Sequence, residues 1–499
     1  MIYIKLQGHI YEYDIKEMVR QYFPKENIQM ISDLSKASKN ELIIINGLKV
    51  EKDKYKFYTI FQKKNQILLK EIMQLRIPSF ENDKEKQRWE KRKLKVILYY
   101  SMEKQYSKSL PWGILTGIRP TKIVHKLMDE EKKEENIAKV LKSQFLLSNE
   151  KIKLLMDVAK QERDIVYPID KNKVSIYIGI PFCPSRCVYC SFLSSVIQKN
   201  RESVKEYLQA LYYEIKEIGK YINKHSLSIE SIYIGGGTPT VLKVDELKEL
   251  LDILQETFNI DEIKEYTLEA GRPDTINKEK LIVALSHGIK RISINPQTMN
   301  QKTLQNIGRM HSVEDIKKAY FLAREIGFSF INMDLILGLP GEDLKDVKRT
   351  LKEVEILKPE NITVHTMSVK KGSKLKERLE EIKLDQGQKV SKMIEVAQDF
   401  ASSNGYYAYY LYRQKYMLGN LENVGYCKTG YRSIYNIQMI AEKQTIIGLG
   451  AGSVTKVVFQ EKDRIERMPN VKNVEQYIKR IQEMIDRKLS LLDSLYCKI

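Results

Sequence analysis

Apolar and polar positions change their pattern twice along the chain. In residues 1–168, short stretches that alternate apolar and polar residues precede long charged stretches with helical periodicity. The alternating stretches are Met1–Leu6, Glu41–Ile45 and Tyr55–Phe61. Alternation predicts strands, and the longer periodic stretches predict helices. We therefore expect a small α+β domain here, in which the sequence shows no catalytic constellation.

Between residues 169 and 375, strand-like runs alternate with helical patterns six times. The runs are Val174–Ile180, Ser231–Ile234, Glu265–Glu269, Arg291–Ile294, Ser329–Leu335 and Asn361–Thr366. Helical patterns separate them, the clearest at Val204–Ile222, with others at Lys278–Ser286, Val313–Ile326 and Leu344–Leu357. This alternation predicts a parallel sheet covered by helices. Because six units are fewer than the eight of a closed barrel, we expect an α/β fold with a partial (βα)6 barrel. Its site should lie at the carboxyl ends of the strands.

The regular alternation ends after about residue 375. A helical pattern at Gln386–Ser403 leads into a tyrosine-rich run at Tyr406–Tyr412 and a glycine-rich turn at Gly448–Gly452. The tyrosines fit either a stacking surface for a flat ligand or an alternating buried strand, and we favour the strand. We expect residues 376–499 to form a mixed, mainly helical region that caps the partial barrel.

Composition and charge limit the class of protein. The chain has 499 residues, of which 42% are hydrophobic and 30% charged, as in globular proteins of several domains. Its net charge is +19, but basic residues are mixed with acidic ones, a pattern typical of solvated helix faces rather than of a nucleic-acid partner. No apolar run approaches ~18 residues, and the N-terminus lacks an export-signal pattern. We expect a cytoplasmic protein without a membrane span.

Three of the five cysteines lie close together, directly after the first strand of the alternating region. They are Cys183, Cys187 and Cys190, whereas Cys427 and Cys497 are distant. Three thiolates on one short loop can bind three irons of a four-iron cluster and leave the fourth iron open to a small molecule. The alternative is a structural zinc site with Cys427 or a histidine as fourth ligand. Zinc sites more often use two C-x-x-C pairs, so the spacing favours iron–sulfur.

The cysteine spacing C-x-x-x-C-x-x-C, with Tyr189 before the last cysteine, resembles the signature of the radical S-adenosylmethionine (SAM) superfamily. In that family the open iron of a 4Fe-4S cluster binds the amino and carboxylate groups of SAM. An electron from the reduced cluster then splits the sulfonium and yields a 5′-deoxyadenosyl radical. The resemblance implies that Cys183, Cys187 and Cys190 are the cluster ligands.

Further segments are similar to those of the oxygen-independent coproporphyrinogen III oxidase family. They are Gly235–Thr240, Arg291–Gln297, Ile307–His311 and Asn332–Pro340. The resemblance covers residues 174–375 and implies that SAM contacts Tyr177, Gly236, Gly237, Thr238, Glu269, Gln297, Arg309 and Asp334. Bare glycines let a backbone approach a ligand, and an arginine binds a carboxylate bidentately. Without the resemblance, Glu269 also fits a surface carboxylate, and Asp334 fits a helix cap or a hydrogen-bonding core residue. Outside this core, Trp112–Thr121, Tyr406–Tyr416 and Gly448–Gly452 fit the HemZ-type branch of the family.

One position departs from the family pattern. The family reads Tyr-x-His-x-Pro-Phe-Cys, whereas this chain has Gly179 in place of the histidine. A glycine side chain can donate neither a hydrogen bond nor a proton, so that role is absent or supplied by another residue. The sequence assigns none of the six histidines to it.

The resemblance also implies a function. The expected enzyme is an oxygen-independent coproporphyrinogen III dehydrogenase of haem biosynthesis, which turns two propionates into vinyl groups and gives protoporphyrinogen IX. It implies a tetrapyrrole substrate and an electron donor that the sequence does not identify. Two alternatives stay open. One is a haem-binding chaperone of the same family, although we find no His-Asn-x-x-Tyr-Trp signature, and the other is a radical SAM enzyme acting on haem or another tetrapyrrole.

Overall fold

The computed structural model describes residues 1–38, 40–190, 195–197, 201–369, 373, 388–414, 417–462 and 464–497. Contacts within the chain define two compact units, Met1–Met156 and Asp157–Ile499. The division into 1–168, 169–375 and 376–499 stays a prediction, and its second boundary lies outside the described residues. None of the described helices combines the length and the apolar character needed to cross a membrane.

The first unit contains a five-stranded mixed sheet. Its strands are β1 (Ile2–Gln7), β2 (Ile28–Met30), β3 (Leu42–Glu51), β4 (Lys54–Lys63) and β5 (Gln66–Arg76), in the order β2-β1-β3-β4-β5. The helices are α1 (Glu12–Tyr22), α2 (Asp83–Tyr106), α3 (Thr121–Asp129) and α4 (Glu134–Phe145), and α5 (Asn149–Val166) crosses into the second unit. Leu94 and Leu98 of α2 belong to one buried cluster with Phe57 and Phe61 of β4. This is the α+β arrangement that the alternating runs predict.

The second unit is built on an eleven-stranded sheet. Its first strands are β6 (Lys173–Ile180), β9 (Ser228–Gly236), β10 (Glu265–Glu269), β11 (Arg291–Ser293), β12 (Phe330–Leu337) and β13 (Asn361–Thr366). Its later strands are β14 (Tyr407–Tyr412), β15 (Asn423–Cys427), β16 (Thr445–Leu449), β17 (Val454–Phe459) and β18 (Arg464–Pro469). Two short strands, β7 (Phe182–Cys183) and β8 (Ser195–Val196), pair separately.

Helices connect and cover these strands. They are α6 (Arg201–Lys224), α7 (Val244–Thr257), α8 (Lys278–Ser286), α9 (Gln301–Asn306), α10 (Val313–Ile326), α11 (Leu344–Leu357), α12 (Gln388–Ser403), α13 (Ile434–Ala441), α14 (Val474–Lys479) and α15 (Ile481–Tyr496). Three of them have the bounds that periodicity predicts, because a polar side chain caps each start. Asn277, Ser312 and Asp343 accept hydrogen bonds from the first amides of α8, α10 and α11.

The sheet order is β14-β15-β13-β12-β11-β10-β9-β6-β16-β17-β18. The six predicted strands are confirmed as parallel neighbours, and β16 adds a seventh parallel strand beside β6 that the sequence did not predict. Antiparallel strands extend both ends, and no pairing joins β14 to β18 among the described strands. Side chains from β9 through β14 line one common cavity, so the sheet curves around it. The α/β fold class is confirmed.

The tyrosine-rich run forms strand β14. Tyr409 and Tyr410 are buried in a cluster that includes Cys427 and Ile437. The interpretation as a buried strand is therefore confirmed: Tyr409 is a packing residue, and Tyr410 also lines the cavity.

Candidate functional site

The cysteine loop is fixed at the carboxyl end of β6. The amide of Val188 donates a hydrogen bond to the carbonyl oxygen of Ile307 at 3.0 Å, and the Ser185 hydroxyl donates to that of Gly308 at 3.2 Å. Cys187 is buried, whereas Cys183 and Cys190 are half-buried. The loop therefore lies at the strand ends, where the sequence predicts the site.

The geometry of the thiols does not match a zinc site. Sulfur ligands of a tetrahedral zinc, each about 2.3 Å from the metal, lie roughly 3.8 Å apart. Within the described part of the chain, one trio of potential ligands lies within 4.8 Å of one another, and it is His225, Asp493 and Cys497 rather than the loop cysteines. Cys427 pairs with Asn361, the first residue of β13, and so lies at the amino-terminal end of the parallel strands, away from the cysteine loop at their carboxyl ends. The loop cysteines are thus not arranged as a zinc site, and Cys427 is not placed to complete one.

A glycine segment packs against the cysteine loop without space for side chains. The amide of Gly237 donates to the carbonyl oxygen of Ile180 at 2.7 Å, and the Thr238 hydroxyl lies 3.5 Å from the Cys183 sulfur. Gly236 has a φ of +109°, which residues with side chains rarely adopt. A Cβ atom on Gly235 would lie 2.6 Å from a carboxylate oxygen of Glu269. The backbone of the glycine segment, free of side chains, therefore lies next to both Cys183 and Glu269.

Substituting Gly237 with alanine should reduce both iron content and SAM binding at least tenfold. The new Cβ would lie 2.4 Å from the carbonyl oxygen of Phe182 and 3.0 Å from the Cys183 sulfur, so the loop must move. Iron analysis and equilibrium binding of SAM measure the effect. Gly179→Ala is the matched control, because its Cβ would meet nothing closer than 3.5 Å. Equal losses in both variants would contradict the close-approach argument.

Glu269 is enclosed among aromatic side chains at the end of β10. Burial raises the pKa of Glu269 to about 8, and the nearby Asp334 carboxylate contributes in the same direction. The neighbouring Gly236 amide and Tyr233 hydroxyl act in the opposite direction and lower that pKa. Tyr177 stacks on Tyr233 at a centroid distance of 6.2 Å, and on Tyr435 of α13 at the same distance. Glu269 therefore faces the interior of the site, and Tyr177 belongs to the group of stacked tyrosine rings beside it.

Gln297 and Arg309 each present a buried polar atom without a partner. Within the described residues, Gln297 Oε1 and Arg309 Nε make no hydrogen bond. The Arg309 guanidinium is held by the carbonyl oxygens of Gly271 and Asn295, at 3.2 and 2.5 Å. Gln297 has a φ of +66°, and its backbone N–H donates a hydrogen bond to the backbone carbonyl oxygen of Asp334 at 2.9 Å. Buried polar atoms are rarely left unpaired, so these two atoms point to a ligand.

Asp334 links this group to the interior cavity. One carboxylate oxygen of Asp334 accepts a hydrogen bond from the side-chain amide of Asn332 at 2.8 Å, and the other lies 3.6 Å from Nε2 of His365. Burial alone would raise the pKa of Asp334, but the nearby His365 ring and the hydrogen bond from the Asn332 side chain hold that pKa below its usual value. Asp334 is therefore a charged hydrogen-bonding residue within strand β12, not a helix cap.

The cavity beside Asp334 has a volume of about 290 Å³ and is lined by both polar and apolar groups. It is enclosed by residues of the six strands β9 to β14 and by α13. The polar groups include Thr267, Ser293, Asn332, Thr363, His365 and Tyr412. A cavity of this kind can hydrogen-bond a polar substrate group at several points.

Sequence reasoning missed several residues of this site. His365 lines the cavity, and its Nδ1 lies 3.2 Å from the Tyr412 hydroxyl. The signal was its place on the same face of β13 as Thr363, since alternate strand residues share a face. Arg272 and Asp274 also went unassigned, although they follow β10 directly. Gly179 itself has room for a Cβ, so the backbone does not exclude a side chain there.

The site brings most of the predicted residues to one edge of the sheet. The three cysteines, the glycine segment, Glu269, Gln297, Arg309 and Asp334 form a connected group, whereas Tyr177 lies below them in the aromatic stack. The chemistry of this donor set, with three thiols, an enclosed guanidinium and two unpaired polar atoms, fits an iron–sulfur cluster with an adjoining amino-acid ligand.

Comparison with known proteins agrees with this interpretation. Residues 177–354 match the model of the radical SAM superfamily. The fold is similar to that of Escherichia coli coproporphyrinogen III oxidase (HemN), described as a radical SAM enzyme, with a TM-score of 0.50 and 23% identity over 66% of this chain and 73% of that one. At this identity the likeness concerns the fold. The fold and the site therefore define a radical SAM protein of the α/β class.

Two curated relatives narrow the family. The Bacillus subtilis oxygen-independent coproporphyrinogen-III oxidase-like protein HemZ is 43% identical over 391 residues, which are 78% of this chain and 78% of that protein. The heme chaperone HemW of the same organism is 31% identical over 56% of this chain and 70% of its own length. The chain thus belongs to the HemZ-like oxygen-independent coproporphyrinogen-III oxidase family of radical SAM proteins, which implies a 4Fe-4S cluster and SAM as cofactors.

Proposed function

We propose that Cys183, Cys187 and Cys190 hold a 4Fe-4S cluster and that the surrounding strand ends hold SAM. The proposed SAM contacts are Tyr177, Gly236, Gly237, Thr238, Glu269, Gln297, Arg309 and Asp334. The bare glycine backbone beside Cys183 and the unpaired atoms of Gln297 and Arg309 support this assignment. Arg309 suits the carboxylate of the methionine part, because a guanidinium binds carboxylates bidentately. When bound, the two cofactors supply hydrogen-atom abstraction, and the protein orients the reacting carbon.

We propose further that the protein converts two propionates of coproporphyrinogen III into vinyl groups without oxygen and so yields protoporphyrinogen IX. For each propionate, one hydrogen atom leaves the β-carbon, the carboxylate carbon leaves as CO2, and one electron passes to an acceptor. The observation that carries this proposal is the 43% identity to HemZ over 78% of both chains. That span reaches well beyond the superfamily core at residues 177–354.

The cavity limits how such a substrate enters. Its volume of about 290 Å³ lies at the lower end of small-molecule pockets, which span ~300–1,000 Å³. We infer that one propionate-bearing arm enters and that the macrocycle stays at the mouth. Arg291 also lines the cavity and offers the carboxylate of the arm a positive charge.

The remaining requirements follow from this reaction. A net charge of +19 favours the approach of a tetracarboxylate through long-range attraction. One-electron chemistry needs an external donor, which we leave unidentified. A cytoplasmic location suits three free thiols, because cytosolic thiols are kept reduced.

Anaerobic incubation with coproporphyrinogen III, SAM and a reductant should give products lighter by successive losses of CO2 and two hydrogens. Mass spectrometry of the tetrapyrrole and chromatography of 5′-deoxyadenosine measure the two sides of the reaction together. The matched control is Asp334→Asn, which keeps the size of the side chain but removes the charge beside the cavity. We expect this variant to lose product formation.

Other outcomes would favour the alternatives. An intact tetrapyrrole bound tightly, with no deoxyadenosine released, would indicate a haem chaperone like the 31% identical HemW. Deoxyadenosine released with haem, but not with coproporphyrinogen III, would indicate an enzyme acting on haem itself. Either result would contradict the proposed reaction while leaving the cluster assignment intact.

A further inference from the structure

Arg272 follows strand β10 and reaches the cysteine loop. Its Nη1 donates a hydrogen bond to the Ser185 hydroxyl at 3.0 Å and lies 3.8 Å from the sulfur of Cys187, within hydrogen-bonding distance of sulfur. The side chain is only 4% exposed. Arg272 therefore contacts the loop at a hydroxyl and at a thiol.

The rest of the guanidinium is held by a carboxylate. Nε and Nη2 of Arg272 donate to the two oxygens of Asp274 at 2.9 and 2.8 Å. Asp274 also accepts from Nδ1 of His311 at 3.3 Å. Such a two-point contact fixes the plane of the guanidinium, so Nη1 stays aimed at the loop.

Cys187 lies close to a second cation. The Arg309 guanidinium also interacts with Cys187 and with Tyr189. The two arginines differ in their other contacts, because Arg309 is tied to backbone carbonyls and Arg272 to Asp274. Only Arg272 has an anionic side-chain partner that can be removed separately by mutation.

We propose that Arg272 tunes the reduction potential of the cluster by donating a hydrogen bond to the Cys187 sulfur, with Asp274 as the residue that orients it. The proposal rests on the proposed cluster but not on the tetrapyrrole substrate. Reduction adds one electron from an external reductant to the cluster and its thiolates. Hydrogen bonds to sulfur and nearby positive charge stabilise the form with the additional electron. Arg272 therefore makes the potential less negative.

A purely structural role would have a different signature. Arg272 also ties Ser185 into the loop, and that contact alone could explain its burial. Ser185→Ala removes this tie and leaves the contact between Arg272 and Cys187 in place. Comparing Arg272→Gln with Ser185→Ala separates tuning of the cluster from support of the loop.

The test is an EPR-monitored redox titration of the full-length, anaerobically reconstituted protein without SAM. Arg272→Gln should keep the iron and sulfide content of the parent protein but lower the ratio of reduced to oxidised cluster about tenfold at a given potential. For one electron this is a shift of about 59 mV to more negative values. Ser185→Ala should titrate like the parent protein. Asp274→Asn should shift the potential in the opposite direction, because its remaining side-chain oxygen still accepts a hydrogen bond from Arg272 while a negative charge is removed.

Three results would overturn the proposal. The first is an Arg272→Gln cluster, fully loaded, that titrates at the parent potential. The second is an equal shift in Ser185→Ala, and the third is a shift of the same sign in Arg272→Gln and Asp274→Asn. If Arg272→Gln binds no iron, Asp274→Asn tests the proposal alone: a shift to more negative potential would overturn it. A parent protein that binds no four-iron cluster would instead refute the cofactor assignment.

Discussion

Replacing Cys187 with alanine should abolish both the four-iron cluster and the cleavage of SAM. Cys187 is the buried member of the three thiols and lies between two guanidinium groups. The cluster needs three thiolates, one for each iron that the protein binds. Two thiols leave one of these irons without a ligand, so the cluster should not assemble. Iron and sulfide analysis, EPR of the reduced protein and chromatographic detection of 5′-deoxyadenosine measure the loss.

Cys427→Ala is the control for this prediction. Cys427 is fully buried in strand β15, at the opposite edge of the parallel strands from the cysteine loop. The variant should therefore keep about four irons and its SAM cleavage. Loss of metal from Cys427→Ala, with a closed and redox-silent ion in the parent protein, would instead support a zinc site.

The regular part of the fold was predictable because local signals agree. In β6, the adjacent residues Ser175 and Ile176 point to opposite faces and are both fully buried, as expected for a parallel strand covered on both faces. In α10, Ser312 and Asp315 form a reciprocal cap at the first turn, and Gly327 ends the helix with a φ of +116°. Periodicity, capping and strand burial thus specify the same boundaries.

The seventh parallel strand was not predictable in this way. Strand β16 has five residues and pairs with β6, which lies about 270 positions earlier in the chain. Its register, from Thr445 opposite Val174 to Leu449 opposite Ile178, depends on non-local contacts that no local pattern encodes. The alternation of strands and helices ends before β16, so no local pattern indicates that the parallel sheet continues.

The candidate site was predictable in outline for a topological reason. The carboxyl ends of neighbouring parallel strands meet at one edge, so motifs after β6, β9, β10 and β12 converge there. Arg272 and Asp274 were missed because two adjacent charges on a loop usually indicate solvent exposure. His365 was missed because its contacts with Asp334 and Tyr412 form only in the folded sheet.

A buried ion pair supports the strand that carries the cysteine loop. Glu214 of α6 and Lys488 of α15 are in contact, and both side chains have no exposed surface. Lys488 also donates to the carbonyl oxygen of Gly448 at 2.6 Å, and Glu214 accepts from the amide of Gly450 at 2.7 Å. Gly450 packs on Gly179 so closely that a Cβ atom added to Gly450 would lie 2.4 Å from the carbonyl oxygen of Gly179. The charges therefore fix the glycine-rich turn against the end of β6.

Lys488→Met should destabilise the second unit by about 3–5 kcal/mol, because it leaves Glu214 buried without its cation. The double variant Lys488→Met with Glu214→Gln should recover much of this loss, since it removes both buried charges. The urea midpoint of unfolding, followed for both variants and the parent protein, measures the two effects. Arg480→Met is the control, because it breaks an exposed ion pair with Glu483 near the start of α15 and should leave the midpoint unchanged. Because the pair holds Gly450 against Gly179, Lys488→Met should also lower the iron content, and the double variant should restore it. A Lys488→Met protein with the parent midpoint and full iron content would contradict this coupling between the buried charges and the cysteine loop.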